Sequence, residues 1–229
     1  MKLTRMRVVG AIVLLVAGGL LGYGAVKASQ RFLDPYYGLV TTLELDVPEE
    51  VRETARQRMA VTIASLEAAQ STGAEIDLDS YVSLAEDALF LGDLVTAREY
   101  LEILLEKNPI NPTAWNNYGT VLEYMHDYEG ALAAYTKAID NGTTEEYYRD
   151  IVNLIEAQYP DREAEVEATL QHAVDVMGQT PWLMVKLAQW YEEHGDCQRA
   201  EAHMKVAKTL DPENTGIADE YDRIKAECK

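Results

Sequence analysis

The chain has 229 residues, 8% of them aromatic and only seven of them proline, which excludes a collagen-like or Pro-rich polymer and leaves room for one compact domain or a short repeat array. Its 39 Asp and Glu against 20 Lys and Arg give a formal charge of −19, and the first thirty residues hold Lys2, Arg5, Arg7 and Lys27 but no acid, so the rest is more acidic still. Such a body is repelled by nucleic-acid phosphates, which argues against DNA or RNA binding and admits a basic partner. An acidic surface that simply keeps the body soluble explains the charge more economically.

In chain order, the first feature is residues 8–26, VVGAIVLLVAGGLLGYGAV, uncharged and close to the ~20 residues that a spanning helix needs. Lys2, Arg5 and Arg7 precede it. By the positive-inside rule the N-terminus stays in the cytoplasm and the body lies across the membrane. The rival is a cleaved secretion signal, with Val26-Lys27-Ala28 as its cleavage motif. The length of the apolar run and the charge of Lys27 favour a retained anchor, and a buried soluble helix is a third reading. Both of the first two place the body outside the cytoplasm. No cysteine follows the run, which argues against a lipoprotein anchor.

Residues 30–47 read as a linker. Pro35-Tyr36-Tyr37-Gly38 forms a turn signal, and residues 39–47, LVTTLELDV, are β-prone but lack a partner strand, so they are expected to be extended. Residues 48–73 form an amphipathic helix. Pro48 suits its first turn, Glu49 and Glu50 suit the positive dipole end, and Val51, Ala55, Met59, Ile63 and Leu66 make one apolar stripe.

From there the sequence repeats every 34 residues. Ala85, Ala97, Leu101 and Leu104 recur as Gly119, Ala131, Tyr135 and Ala138, and two periods plus one residue later as Ala188, Ala200, Met204 and Ala207. Pro109 and Pro212 stop helices, and Gly92-Asp93 and Gly195-Asp196 supply turns. Such a period marks helical hairpins that must stack to bury their apolar faces. These residues resemble the tetratricopeptide repeat (TPR) family. The match is best over 112–145, with Trp115, Gly119, Ala131, Tyr135 and Ala138. It is good over 78–111 and over 181–214, where Tyr191 and Gly195 add to it. Residues 146–180 read as a degenerate hairpin, with Tyr159-Pro160-Asp161 replacing the usual turn. Residues 215–229 read as a capping helix with Ile217, Tyr221, Ile224 and Cys228 on one face. The expected fold is all-α: a right-handed α-solenoid of TPR hairpins behind a single N-terminal transmembrane helix.

The resemblance implies a binding groove lined by the first helix of each unit. Counting along those helices gives Val82, Glu86 and Leu89; Asn116, Thr120, Glu123 and Tyr124; Ile151 and Ile155; and Trp182, Val185 and Gln189. This mixture suits a protein or peptide partner of basic or amphipathic character. Two alternatives stay open: Ile151, Ile155 and Val185 are inter-repeat core, or the 48–73 helix fills the groove. A carboxylate clamp of the kind some relatives use to hold chaperone tails is disfavoured. Asn117 and Lys186 suit it, but Val82 and Glu86 stand where basic or amide groups are wanted.

The four histidines are dispersed, and no phosphate loop, nucleophile elbow or metal-ligand spacing is present. The chain therefore reads as a non-enzyme with no cofactor and no metal. Asn141-Gly142-Thr143 is a formal glycosylation sequon but more simply ends a helix. Two cysteines are too few for a disulfide scaffold. An antiparallel cap would bring Cys228 back to Cys197, so a disulfide that ties down the cap competes with two free thiols. The leading expectation is a membrane-anchored scaffold or adaptor on the extracytoplasmic side. The alternatives are an obligate subunit of a membrane complex, or a secreted form after cleavage.

Overall fold

The computed structural model describes residue 36 and residues 38–227. The expected anchor at 8–26 and its rival cleavage motif lie outside the described residues, as does Cys228. Among the described residues no helix is long and apolar enough to cross a membrane. The unit Thr42–Lys229 carries all the helices found among the described residues. Of the unit Met1–Thr41, the described part is a turn in which the Leu39 amide donates to the Tyr36 carbonyl at 3.0 Å.

Ten helices follow one another among the described residues: α1 (Glu49–Thr72), α2 (Asp79–Phe90), α3 (Leu94–Lys107), α4 (Pro112–Tyr124), α5 (Tyr128–Asn141), α6 (Glu145–Gln158), α7 (Glu163–Met177), α8 (Pro181–Glu193), α9 (Cys197–Leu210) and α10 (Thr215–Glu227). Each pair α2–α3, α4–α5, α6–α7 and α8–α9 packs as a hairpin, and the hairpins stack in sequence, with α10 packed on α9. No strand forms among these residues beyond one isolated bridge.

Three hairpins share one turn for a physical reason. The first helix ends with a residue in the left-handed region: Gly92 at φ +82°, His126 at +64° and Gly195 at +74°. That conformation lets the next amide reach back along the helix just finished: Asp93 to the Ala88 carbonyl at 2.9 Å, Asp127 to Leu122 at 2.8 Å, Asp196 to Tyr191 at 2.8 Å. The same three aspartates then cap the second helix, accepting from the amides of Thr96, Gly130 and Arg199. The third hairpin lacks this device. Tyr159 has φ −131° and ψ 63°, and Pro160–Arg162 make a short 3-10 turn before α7.

Small residues set the helix separation. Ala85, Ala97, Ala131, Ala188 and Ala200 are all buried, and a Cβ on Gly119 would stand 2.5 Å from the Tyr135 ring. Leu84, Leu94, Leu101 and Leu104 fill the first hairpin completely, each contributing about 1.5–3 kcal/mol by burial.

The segment before the repeats departs from its expected isolation. Thr42 bridges Asp93 antiparallel, and the Leu43 amide donates to the Gly92 carbonyl at 2.8 Å. A β-prone stretch with no partner strand has found the exposed backbone of a turn instead. α1 packs on α2, burying Ala55 and Leu66, with Arg58 paired to Asp87 and the Arg52 guanidinium donating to the Leu91 carbonyl at 3.2 Å. It stacks on the end of the array like one more half-unit.

Candidate protein-binding surface

The first helices α2, α4, α6 and α8 present a mixed and largely acidic face. At its start, Ala85, Glu86 and Leu89 of α2 meet Asn117, Thr120 and Val121 of α4 over Leu101, forming a small cleft of about 70 Å³. Glu86 is exposed and Leu89 half-buried, so the cleft has an apolar floor and a carboxylate at its rim. Glu86, Leu89 and Thr120 are thus brought together, and Val82 lies half-buried one turn earlier on α2. Asn117 belongs with them, although the sequence suggested it only for a carboxylate clamp.

The next seam, between α4 and α6, is closed by polar pairs exactly one period apart in sequence. The Asn116 amide donates to the Asp150 carboxylate at 2.8 Å, and the hydroxyls of Thr113 and Tyr147 meet at 2.8 Å. Asn116 is therefore a buried link, 4% exposed, rather than an open groove residue. Burial pushes the Asp150 carboxyl up and the Asn116 hydrogen bond partly opposes the shift. Thr120 and Glu123 are also fixed in place. The Tyr135 hydroxyl donates to Glu123 at 3.0 Å and lies 3.2 Å from the Thr120 hydroxyl, and burial raises the Tyr135 pKa. Tyr124, 46% exposed, is the open aromatic of this helix.

Ile151 and Ile155 are corrected to core residues, 3% and 1% exposed. α6 buries Tyr147, Tyr148, Ile151, Val152, Leu154 and Ile155, while Glu146, Arg149, Asn153 and Glu156 face outward. Val152 of α6 is buried, while Asn116–Asp150 and Thr113–Tyr147 keep the 34-residue register between α4 and α6. Sequence counting overshot that register and landed on the packed face. The residues it missed are Arg149 and Glu156. Arg149 pairs with Glu145 at 2.8 Å and lies 5.1 Å from the Trp182 ring centre, and Glu156 accepts from Lys186 at 2.8 Å.

At the far end Trp182, Val185 and Gln189 are all half-buried. Val185 and Gln189 line a shallow cleft of about 410 Å³ against α10, with Met204, Ile217 and Glu220. α10 is held by Arg223, which pairs with Glu192 at 2.6 Å and Glu220 at 2.7 Å. Cys197 is disulfide-bonded at the first turn of α9. No cluster of His, Cys, Asp or Glu among the described residues could hold a metal ion. The Asn141 amide donates to the Lys137 carbonyl at the end of α5.

No protein-family model matches the chain, and no curated protein matches it. Solved structures do. One is the C-terminal part of a TPR repeat-containing protein from Cytophaga hutchinsonii, with TM-score 0.56 and 18% identity over 70% of this chain and 64% of that one. Another is YrrB, described as a TPR protein with an unusual peptide-binding site, with TM-score 0.53 and 16% identity over 72% of this chain and 82% of that one. A third is MamA from Desulfovibrio magneticus RS-1, with TM-score 0.51 and 15% identity over 66% of this chain and 84% of that one. These likenesses, together with the shared turns and crossing alanines, show that the described residues have the fold of tetratricopeptide repeats.

Proposed function

We propose that the chain is a membrane-tethered adaptor whose first-helix face captures a basic or amphipathic segment of another protein on the extracytoplasmic side. The observation that carries this reading is the acid-rimmed apolar cleft between α2 and α4, where Glu86, Leu89 and Thr120 converge. Its floor suits the aliphatic stem of a lysine or arginine and its rim the charged head. The charge of the face supports the same partner. Arg149 and Lys186 are the cations of α2, α4, α6 and α8, and both are already paired with Glu145 and Glu156. Carboxylates such as Glu86, Glu146 and Glu193 remain to attract a cationic segment. YrrB's described peptide-binding site is an instance of this fold receiving a peptide. The tether is residues 8–26, with cleavage after Ala28 as the route to a secreted form. The disulfide at Cys197 supports an oxidising compartment for the body.

A photo-crosslinking residue in place of Leu89, in the full chain in its native membrane, tests this reading. A discrete adduct is expected, lost with Glu86→Lys and at high salt, and absent when the crosslinker replaces exposed Lys205 on α9. An adduct indifferent to Glu86→Lys would overturn it. A second reading, an obligate subunit of a membrane complex, is favoured by the exposed apolar residues Ile110, Val176 and Leu210 at the exits of α3, α7 and α9. In that case the adduct resists salt.

A further inference from the structure

The irregular third hairpin borders a cleft against α8. Its volume is about 320 Å³, roughly ten times the ~30 Å³ share of a water molecule in the liquid, and it lies between the α6–α7 turn and α8. Five apolar or aromatic residues line it, Ile155, Tyr159, Pro160, Val166 and Trp190, together with six polar ones that include Lys186 and His194. The turn explains why it is open. Without a left-handed residue the chain leaves α6 through Tyr159 at φ −131° and ψ 63°, and Tyr159 and Pro160 form one wall.

Three carboxylates stand at the rim, Glu156, Glu163 and Glu193. Two are paired within the chain: Glu156 with Lys186 at 2.8 Å, and Glu163 with His194 at 3.0 Å. His194 is fixed further, stacked on Trp190 with ring centres 3.8 Å apart and its Nδ1 lying 2.7 Å from the Trp190 carbonyl. Glu193 is exposed and has no ion-pair partner among the described residues. The cleft thus joins an aromatic and aliphatic interior to one unmatched negative charge. The Arg162 guanidinium, paired with Glu165, lies 4.9 Å from the Tyr159 ring centre.

We propose that this cleft is a receptor for one arginine side chain of the partner, separate from the α2–α4 cleft. The aliphatic stem lies on Ile155, Pro160 and Val166, and the guanidinium pairs with Glu193 beside the Trp190 face. A neutral side chain would leave Glu193 without an ion-pair partner, and an acidic one would be repelled by it. The site rests on the protein-binding reading for its biological partner, but its chemistry can be tested without one.

The test uses detergent-solubilised full chain carrying Trp115→Phe and Trp182→Phe, so that Trp190 is the single indole. N-acetyl-arginine amide is titrated while Trp190 fluorescence is followed, with N-acetyl-citrulline amide as the neutral isostere. Saturable change in the ~millimolar range is expected for arginine. At least a roughly fivefold weakening is expected with citrulline or with Glu193→Gln, while Glu86→Lys leaves the titration unchanged. Far-UV circular dichroism verifies that each variant is folded. Equal curves for arginine and citrulline, an unaffected Glu193→Gln, or no saturation would overturn the site. Any of these would leave the Leu89 crosslink standing, and loss of that crosslink with this titration intact would sink only the α2–α4 reading.

Discussion

Replacing Gly92 by alanine should destabilise the protein more than the same change at Gly195, and the difference measures the docking of residues 42–47. Both glycines occupy the same turn position with similar positive φ, +82° and +74°. A Cβ in that conformation costs about 1–2 kcal/mol at either site. The surroundings differ. Nothing lies within 4 Å of a Cβ on Gly195, whereas one on Gly92 would overlap the Leu43 carbonyl oxygen and stand 3.2 Å from its carbon. Those are backbone atoms, so no rotamer change relieves the overlap and the segment must move away. The Leu43–Gly92 hydrogen bond is then lost, worth about 1 kcal/mol, together with part of the burial of Leu43. Gly92→Ala should therefore cost about 2–4 kcal/mol and Gly195→Ala about 1–2 kcal/mol. Urea unfolding followed by circular dichroism reads both, and hydrogen exchange at the Leu43 amide reads the docking directly. Equal losses for the two variants, with the Leu43 amide still protected in Gly92→Ala, would refute the reasoning.

Asn116→Ala should cost about 1–3 kcal/mol in urea unfolding at neutral pH, because it strips the half-buried Asp150 carboxylate of its donor. The loss should shrink at acidic pH, where Asp150 is neutral; a pH-independent loss would contradict that assignment. His194 and His203 should titrate on opposite sides of 6.5 by NMR. The Trp190 carbonyl and then Glu163 raise His194, while burial and then Arg199 lower His203. Stability from His194 is thus fully present below about pH 6.5 and lost as pH rises through its raised pKa. That from His203 is present above about 6.5 and lost as pH falls through its lowered one. Coincident midpoints would refute both environments. His126→Gly should stabilise by up to about 1 kcal/mol in the same urea assay, since it removes a side chain from a left-handed position, less what the ring loses by leaving Tyr128 at 5.7 Å. Cys197→Ser should lower stability by about 3–4 kcal/mol in the chain-entropy view of a bridge. Two reactive thiols in the denatured, unreduced parent would sink that prediction.

The regular hairpins were legible because their causes repeat in sequence. A small residue at each crossing and an aspartate at each turn recur after 34 residues and again after two periods plus one residue, and burial and capping follow them. The left-handed turn was only partly legible, because His126 takes the position that Gly92 and Gly195 hold. The third hairpin was misread because Ile151 and Ile155 stand one residue past the 34-residue equivalents of Asn116 and Thr120, and at a helix surface one residue turns a side chain by ~100°. Asn116 was assigned to the groove because its partner Asp150 lies one full period away, a pairing that local spacing does not announce. The docking of Leu43 was illegible for another reason. A backbone bridge to a turn leaves no trace in side-chain pattern.

The polar pairs between α4 and α6 bear on how the array comes apart. In a one-dimensional stack each interface opens with its own free energy, and opening spreads along the stack until it reaches a stronger joint. Asn116–Asp150 and Thr113–Tyr147 make the joint between the second and third hairpins such a barrier, and Glu145–Thr180 and Glu156–Lys186 do the same between the third and fourth. Fraying that begins at either end should halt at those joints, leaving α4 to α9 as the last folded kernel.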